Sequence, residues 1–552
     1  MRTLHKSIIV AVAGLMLNTA MAQTGGAPKD SIGAQTVTVF SDQTPVVQDA
    51  VKVNYPAEIP VYVRETTVPK YDIPNRQAEV TYEPVTIRPL GIAKEKPIDF
   101  PSSFVKIGFG TQLSPLFEAM HNGRKLVKDQ EKFSYGLYLK HHSAYGQKID
   151  FQDFSENRAA VNGSIFLNSL RINTKLEYRR DARFYYGIDV PDSVDVKKKD
   201  VRQAFNQFNA TVELLNTKIN KSHFDHSTIL NFYNFSDKFG QKEFGISASA
   251  KLQKSFKEKH FVALRIDEDY VSFKSNTITS SRNLFMLRPF YEYNDLTWKI
   301  TGGVGFAYED KTFHLLPQLG FERPLFKEYL VMYNGWKMEL RRLGYRELAG
   351  ANPWIMPESF ELKHTRYEER LIAGFKGTAG KFSYDGSVRQ IVLRRAPLYV
   401  NNPDEPSKFN VLYARGRLNI LKPMAEFSYR VNSNLDFTLF GEYNMYEVEV
   451  EQYAWHMPRW YASFTTRLKI GDKLFMNAKI YTIDGVYTKL ADGTALKLKG
   501  TVDVNLGATY KFSKSFSFFA NLNNVANFKY QQYYLYPTYG FNCMAGVIFT
   551  YN

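Results

Sequence analysis

The chain has 552 residues, a formal net charge of +16, 15% aromatic residues and a single cysteine, Cys543. One cysteine excludes an intramolecular disulfide, and because no nucleic-acid recognition motif is present, the positive charge does not indicate a nucleic-acid partner. The 44% of hydrophobic residues are dispersed along the chain, so no transmembrane helix is predicted.

The first residues, Met1 to Ala22, have the pattern of a secretory signal peptide. Arg2 and Lys6 give a basic start, the segment from Ser7 to Leu17 is apolar, and Ala20-Met21-Ala22 supplies the small residues of a cleavage site. The apolar segment is too short to cross a bilayer as a helix. The pattern predicts an exported protein from which this segment is removed.

Residues 23–101 differ from the rest of the chain in their many prolines, among them Pro56, Pro60, Pro69 and Pro74. Proline has no backbone N–H to donate, so this segment is predicted to be an extended arm and not a packed domain. The arm contains one short β-prone patch, which consists of Thr36, Val37, Thr38, Val39 and Phe40.

Residues 102–552 repeat one pattern: a segment of alternating residues, a short polar turn, a second such segment and a longer loop. From Val502 to Phe512, for example, even-numbered residues are apolar or aromatic and odd-numbered residues are polar or glycine. A period of two places successive side chains on opposite faces of a strand. The count is about 22 strands, with Phe109 to Lys132 the hardest stretch to divide. The sequence therefore predicts an all-β fold, a transmembrane antiparallel β-barrel with the arm at its N-terminal side.

In such a barrel the apolar face of each strand is predicted to face lipid, and the polar face to line the lumen. The 36 tyrosines and 42 phenylalanines suit aromatic girdles at the two membrane interfaces. Cys543 lies on the apolar face of the last segment and is predicted to face lipid. The many lysines and arginines are predicted to line the lumen or to anchor strand ends near anionic lipopolysaccharide.

The C-terminal hairpin combines an Asn-rich strand end, a Tyr-rich loop, a Tyr-Pro turn followed by glycine, and a final alternating strand. These features are Asn521 to Asn527, Tyr530, Tyr533, Tyr534, Tyr536-Pro537, Gly540 and Phe541 to Tyr551. The hairpin resembles that of TonB-dependent receptors, and the resemblance extends over residues 102–552. It implies a location in the outer membrane of a Gram-negative bacterium. Two features depart from that family: the proline-rich arm stands in place of a globular plug, and Asn552 stands where a terminal aromatic residue is usual.

Four segments of the arm and the early barrel, Thr36 to Phe40, Val47 to Val53, Phe104 to Gly110 and Tyr135 to His141, can be compared with a second group. They are similar to segments of plug-less, TonB-receptor-like barrel proteins of the Bacteroidota. This resemblance implies fold and location, and it implies little about activity.

The predicted lumen face carries charges of both signs. They are consistent with a selective path for polar or anionic solutes or, equally, with an ion-pair network across the lumen that braces the barrel. A wide barrel without a plug would leak, so the arm or the long loops Arg346 to His364 and Pro397 to Lys408 are expected to fold inside. The candidate lumen-lining residues are Lys175, Glu177, Arg179, Lys299, Glu442, Arg467, Lys469, Asp503 and Lys511.

The patch from Thr36 to Phe40 could act as a TonB box that pairs with TonB by strand addition, or it could be an ordinary extended stretch of the arm. The arm also offers a docking segment for other envelope proteins. Outer-membrane lipid and lipopolysaccharide are the remaining expected partners.

Two functions are predicted from these features. The first is transport or channelling of polar solutes across the outer membrane. The second is a barrel subunit that does not transport, and that scaffolds an assembly for protein insertion, secretion or lipoprotein export. No arrangement of nucleophile and base, cofactor motif or metal-ligand spacing stands out, so neither an enzyme nor a cofactor is predicted.

Overall fold

The computed structural model describes residues 102–127, 130–146, 148–188, 196–217, 224–295 and 297–551. The predicted signal peptide, the arm and the patch from Thr36 to Phe40 lie outside the described residues. In chain order, the elements are β1 Ser103–Gly110, β2 Ser114–Val127, β3 Gln130–Ala144, β4 Phe154–Phe166, β5 Leu170–Phe184, β6 Arg202–Asn216, β7 Phe224–Asp237, β8 Lys242–Phe256, β9 His260–Lys274, β10 Thr279–Asn294, β11 Lys299–Glu309, β12 Thr312–Phe326, β13 Leu330–Arg341, α1 Tyr345–Ala351, a 3-10 helix Pro357–Ser359, β14 Thr365–Ala379, β15 Phe382–Arg394, β16 Pro397–Asn401, β17 Phe409–Tyr413, β18 Arg417–Asn432, β19 Leu435–Tyr443, β20 Met445–Val448, β21 Trp460–Ile470, β22 Leu474–Asp484, β23 Tyr487–Lys489, β24 Ala495–Lys497, β25 Thr501–Lys511, β26 Phe516–Asn523, β27 Gln531–Tyr533, β28 Tyr536–Pro537 and β29 Asn542–Tyr551.

Of the 29 described strands, 23 form a closed antiparallel barrel in which each pairs with the barrel strands next to it in the chain. The other six form three separate hairpins, β16–β17, β23–β24 and β27–β28. The barrel closes where β1 pairs with β29, from Ser103 opposite Tyr551 to Gly110 opposite Met544. Strands β19 and β20 both pair with β18 and are separated only by Asn444, so together they make one barrel strand. The barrel therefore has 22 strands, which confirms the predicted fold class.

The outer face of the barrel is apolar because alternate residues of each strand point away from the lumen. Leu176 and Tyr178 are 49% and 43% exposed, whereas Glu177 between them points to the other face and forms ion pairs. Exposed leucine, valine, phenylalanine and tyrosine recur in this way around the sheet. Such a band is what the hydrocarbon core of a bilayer requires of a membrane-spanning barrel.

One apolar residue breaks the alternation near the closing pair of strands. Phe519 of β26 is 5% exposed, and its ring lies over Gly108 of β1 and Gly546 of β29. A Cβ atom at either glycine would come within 2.7 Å of that ring, so only glycine leaves room for it. Lys106 completes the cluster, with its Nζ 4.4 Å from the ring centroid. Phe519 thus departs from the alternation because its ring packs across the strands that close the barrel.

The two ends of the barrel differ. The start of β1, the end of β29 and short turns such as Lys257–Lys259 share one end, and loops with their own secondary structure lie at the other. The loop end also has two tight turns, Thr111–Leu113 and Asp310–Lys311. The first of these divides the stretch that the sequence left unclear. The long loops contain α1 and three hairpins, β16–β17, β23–β24 and β27–β28, which the sequence did not predict.

At the loop end the wall parts between β12 and β13. Their pairing starts at Gln318 opposite Lys337, so the residues of β12 before Gln318 pair with β11 only and those of β13 after Lys337 pair with β14 only. Buried side chains fill the fork, among them Leu316, Met338 and Leu340. This parting makes room for the pocket described below.

Candidate functional site

The long loops pack together at one end of the barrel and form what we call the cap. It consists of residues 185–188, 342–364, 395–416, 449–459, 485–500 and 524–541. Tyr345, Leu398, Phe409 and Trp455 of the cap are at most 1% exposed, which is unusual for loop residues. The cap is therefore a packed structure with its own core. The two loops expected to fold inward, Arg346 to His364 and Pro397 to Lys408, both belong to it.

Loops from nearly opposite walls meet in the cap. The ammonium group of Lys408, between β16 and β17, lies 5.7 Å from the ring centroid of Tyr185, which follows β5. Trp354, in the loop after β13, donates a hydrogen bond from Nε1 to the carbonyl of Phe184 at 2.9 Å. The Tyr536 hydroxyl, in the loop before β29, donates to the carbonyl of Ser407. Because these loops start on different sides of the ring, their contacts cross the mouth of the barrel.

An aromatic cluster forms the centre of the cap. The rings of Trp354 and Tyr536 stack with centroids 3.7 Å apart, and Tyr533 packs edge-on against Trp354, Tyr399 and Phe409. Each such pair contributes about 0.5–1.5 kcal/mol beyond the burial of apolar area. The Tyr533 hydroxyl donates to the carbonyl of Ala351 at 2.9 Å, so its polar group is also satisfied. Hydrophobic burial and ring contacts together hold these three loops, 342–364, 395–416 and 524–541, in place.

Helix α1 is fixed to the barrel wall by a carboxylate. Glu243, at the start of β8, is fully buried and accepts hydrogen bonds from the Tyr345 backbone N–H at 2.5 Å and the Tyr233 hydroxyl at 2.8 Å. A carboxylate is favoured at a helix N-terminus, where backbone N–H groups lack partners. A Cβ atom at Gly344 would lie 2.7 Å from this carboxylate, so a larger residue there would displace the Glu243 side chain.

A second carboxylate, Glu347 of α1, lies close to the same N-terminus. It accepts from the Gly344 N–H at 2.9 Å and from Arg346 at 2.6 Å. Burial raises the pKa of Glu347, but Arg346 outweighs burial and holds that pKa below its usual value. The Arg346 guanidinium also lies 3.6 Å from the centroid of the Tyr233 ring. The charged groups around α1 thus pair with one another and with the backbone at the helix N-terminus.

His456 is a buried titratable group inside the cap. Its Nδ1 donates to the carbonyl of Tyr399 at 2.8 Å, and its Nε2 accepts from the backbone N–H of Tyr534 at 3.3 Å. These partners fix the neutral tautomer with the proton on Nδ1. Burial lowers the pKa of His456 to about 4.

The nine charged residues predicted from the sequence all lie on the strand face opposite the exposed apolar side chains. Lys175 pairs with Glu177 at 2.6 Å, and Arg467 pairs with Asp436 at 3.0 Å. These pairs join residues of the same or neighbouring strands and so run along the wall. The other contacts are Arg179 with Asp181 at 2.5 Å, Lys299 with Glu292 at 3.8 Å, Glu442 with Lys422 at 2.9 Å, Lys469 with Asp472 at 2.9 Å, Asp503 with the Tyr481 hydroxyl at 2.8 Å, and Lys511 over the Phe475 ring at 4.6 Å. A role for these residues in a solute path stays a prediction.

The structure also gathers charged residues that the sequence did not single out. A cavity of about 440 Å³ lies at the loop ends of β12, β14 and β15, beside the fork between β12 and β13. We call it the basic pocket. Its lining consists of His314, Lys363, Arg366, Arg394, Arg395, Tyr413, Ala414, Arg415 and Gly416. Within the described part of the chain, no group of three or more His, Cys, Asp or Glu side chains is arranged to hold a metal ion.

Comparisons with known proteins give structural matches only. No family model matches the chain, and no curated protein matches it by sequence. The FrpB iron transporter from Neisseria meningitidis matches with a TM-score of 0.66 at 11% identity, over 82% of each chain. The siderophore receptor PirA from Acinetobacter baumannii matches with a TM-score of 0.64 at 8% identity, over 82% of this chain and 81% of its own. A mutant of the ferric enterobactin receptor PfeA from Pseudomonas aeruginosa gives 0.60 at 10% identity, over 81% and 80%.

These three proteins are TonB-dependent receptors with barrels of 22 strands. The chain has the fold of a TonB-dependent receptor barrel. This agrees with the resemblance found in the C-terminal hairpin, whose Tyr-rich loop is the part of the cap that holds Tyr533 and Tyr536. No helix among the described residues is long and apolar enough to cross a membrane.

Proposed function

We propose that this chain transports polar solutes across the outer membrane, with the cap as a gate at the outer mouth. The observation that carries the proposal is the closed 22-strand barrel, which an iron transporter and two siderophore receptors share over about four-fifths of both chains. The charged wall supports it, because polar solutes need polar groups along their path. The cap supplies the barrier that a barrel of this width requires.

A solute can pass only when the cap opens. Its loops meet largely through side chains. Their backbones join at the bridge between Ile355 and Phe409 and at the hydrogen bond from the His456 N–H to the Tyr487 carbonyl at 2.8 Å. Opening the cap breaks these contacts and leaves the barrel strands paired. Lids and loops that close on ligands commonly move on microsecond to millisecond timescales. The proposal therefore places solute recognition at the cap and passage along the charged wall, and it needs no catalytic group.

The test is conductance of the purified full-length chain in planar bilayers, beside the double variant Trp354→Ala with Tyr536→Ala. This variant removes the stacked pair at the centre of the cap. We expect low, intermittent conductance for the parent chain and higher, steadier conductance for the variant. Because the similar structures come from iron and siderophore proteins, uptake of ferric siderophores by a deletion strain and its complemented form is the first transport assay to run. A variant that conducts no better than the parent, with no uptake defect in the deletion strain, would rule out transport.

A second candidate function is a scaffold for an outer-membrane assembly. The buried aromatic core of the cap favours it, because a barrel that does not conduct benefits from a permanently closed mouth. A scaffold should co-purify in fixed ratio with other envelope proteins. It should also keep its function when wall charges such as Arg467 and Lys175 are neutralised.

Residues 1–101, which precede the barrel, also have a place in the proposed function. We place a cleavable signal peptide at residues 1–22 and a periplasmic arm at 23–101, as in plug-less barrels of the Bacteroidota. The arm would contact TonB through Thr36 to Phe40 or dock other envelope proteins, and lipopolysaccharide would surround the outer rim. A pull-down from native membranes with and without residues 36–40 separates the two uses of the arm: loss of TonB alone identifies a TonB box.

A further inference from the structure

The basic pocket has an unusual charge balance. Five of its nine lining residues are lysine or arginine, and none is acidic. Two of the five form an ion pair: Lys363 with Glu361, and Arg395 with Glu309 at 3.7 Å. Glu368, which lies near Arg366, is paired with Arg370 at 3.2 Å. Glu309 is shared, because it also accepts from Arg282 at 2.6 Å and contacts His364. The acidic side chains near the pocket are therefore already paired with other groups.

The other three cations, Arg366, Arg394 and Arg415, form no salt bridge and no side-chain hydrogen bond within the described residues. The Nε atoms of Arg366 and Arg394 are buried and have no hydrogen-bond partner there. A buried guanidinium donor without an acceptor is costly, because it has lost water and gained nothing in return.

Two of these arginines also face each other. Arg366 of β14 and Arg394 of β15 are directly opposite in the strand register. Like charges in directly opposed positions destabilise a sheet. Burial and the charges of Arg395 and Arg282 also lower the pKa of Lys363 in the adjoining loop. The pocket thus concentrates positive charge that does not stabilise the fold.

Two residues that line the pocket have a left-handed backbone conformation. Arg395 adopts a left-handed backbone conformation with φ of 58°, which is uncommon for a residue other than glycine. Its neighbour in the lining, Gly416, has φ of 82°. Such conformations cluster at binding sites, where the surrounding structure holds them.

We propose that the basic pocket binds an oxyanion of the phosphate class through the guanidinium groups of Arg366, Arg394 and Arg415. A guanidinium group donates paired, charge-assisted hydrogen bonds that fit phosphate oxygens. The anion lies between the opposed arginines and accepts from their guanidinium groups, which offsets the repulsion between the two cations. A cavity of about 440 Å³ has room for the phosphate group and part of the molecule that carries it.

The phosphate can come from a soluble phosphorylated solute or from the lipid A headgroup at the outer rim, and both present the same chemistry. The inference deepens the proposed function, and rests on it only where the bound anion is also the solute that is moved. Binding and transport are therefore measured separately.

The test is calorimetric titration of inorganic phosphate into the purified full-length chain at low ionic strength. The variants are Arg394→Gln and Arg415→Gln; Arg415 is exposed, so its replacement leaves folding intact. Arg323→Gln is the matched control, because Arg323 lies over the Trp298 ring, 4.3 Å from its centroid, at the opposite end of the barrel from the pocket. We expect saturable binding by the parent chain, at least tenfold weaker binding by the first two variants, and no change in the control. Added sodium chloride should weaken the binding.

A second arm separates the sources of phosphate. The parent chain and Arg394→Gln are reconstituted in nanodiscs with lipid A, and retained lipid A is counted by native mass spectrometry. Lipid A held by the parent and lost from the variant identifies the lipid headgroup, whereas phosphate binding without retained lipid A identifies a soluble ligand. If the parent chain binds neither probe, or if Arg323→Gln loses as much binding as Arg394→Gln, the inference is overturned. Conductance of the same variants tests the proposed transport separately from anion binding.

Discussion

Replacement of Glu243 by alanine should release helix α1 from the barrel wall. Glu243 is fully buried and accepts from the Tyr345 N–H at 2.5 Å and the Tyr233 hydroxyl at 2.8 Å. Alanine leaves both donors buried without an acceptor, at a cost of about 1–3 kcal/mol each. The free energy that opposes local opening of residues 342–364 should therefore fall by about 2–6 kcal/mol. At the upper end of this range, residues 342–364 would detach from the barrel wall.

The assay is hydrogen exchange of the backbone amides of residues 342–364, followed by mass spectrometry. When exchange occurs through local opening, a loss of about 2 kcal/mol speeds it roughly 30-fold. Glu322→Ala is the matched control, because Glu322 pairs with Lys376 on the wall at 2.9 Å and contributes nothing to α1. Unchanged exchange in residues 342–364, or an equal increase in the control, would refute the role given to Glu243.

Three further predictions concern the cap and the barrel closure. Lowering the pH from 7 should loosen the cap: the pKa of His456 is about 4 in the folded protein and near 6.5 when unfolded, so stability is full above pH 6.5 and falls by about 3 kcal/mol as the pH drops through 4. Exchange of residues 449–459 measured against pH should reveal this step, and His456→Gln should lack it. Trp354→Ala removes a stacked ring and the hydrogen bond to Phe184, so it should raise planar-bilayer conductance, whereas replacing an exposed cap residue such as Val450 should not. Phe519→Ala should cost about 3–5 kcal/mol and lower the melting temperature followed by circular dichroism, and equal losses from Phe518→Ala on the opposite face would contradict the packing described at the closure.

The barrel was predictable because its signal is local. Alternation within a strand depends on which residues face lipid, and it can be counted segment by segment, as in Val502 to Phe512. The strand count and fold class followed from that count. The stretch from Phe109 to Lys132 was difficult because a tight turn at Thr111–Leu113 lies at the loop end, where longer connections are the rule.

The cap and the basic pocket were harder to predict because their signals are distributed. Trp354, Phe409 and Tyr536 look in sequence like residues of an aromatic girdle, and only the fold brings the three together. Arg366 and Arg394 lie on consecutive strands, and they are opposed only because of the register in which β14 pairs with β15, which the alternation does not fix. The pair Arg394-Arg395 at a strand end, followed by Arg415 and Arg417 at the start of the next barrel strand, was the one available hint.

The closure of the barrel has a consequence for how the chain folds. Ser102 donates a hydrogen bond to the carbonyl of Tyr551 across a sequence separation of 449 residues. Bringing two such distant points together costs roughly 5 kcal/mol of chain entropy, which only the completed seam repays. Seam formation is therefore the slow, late event of assembly, and until it happens β1 exposes an unpaired edge that can join another chain. The ring of Phe519 packs over Gly108 and Gly546 only when β1 and β29 are paired, so we expect this contact to stabilise the closed ring once the seam has formed.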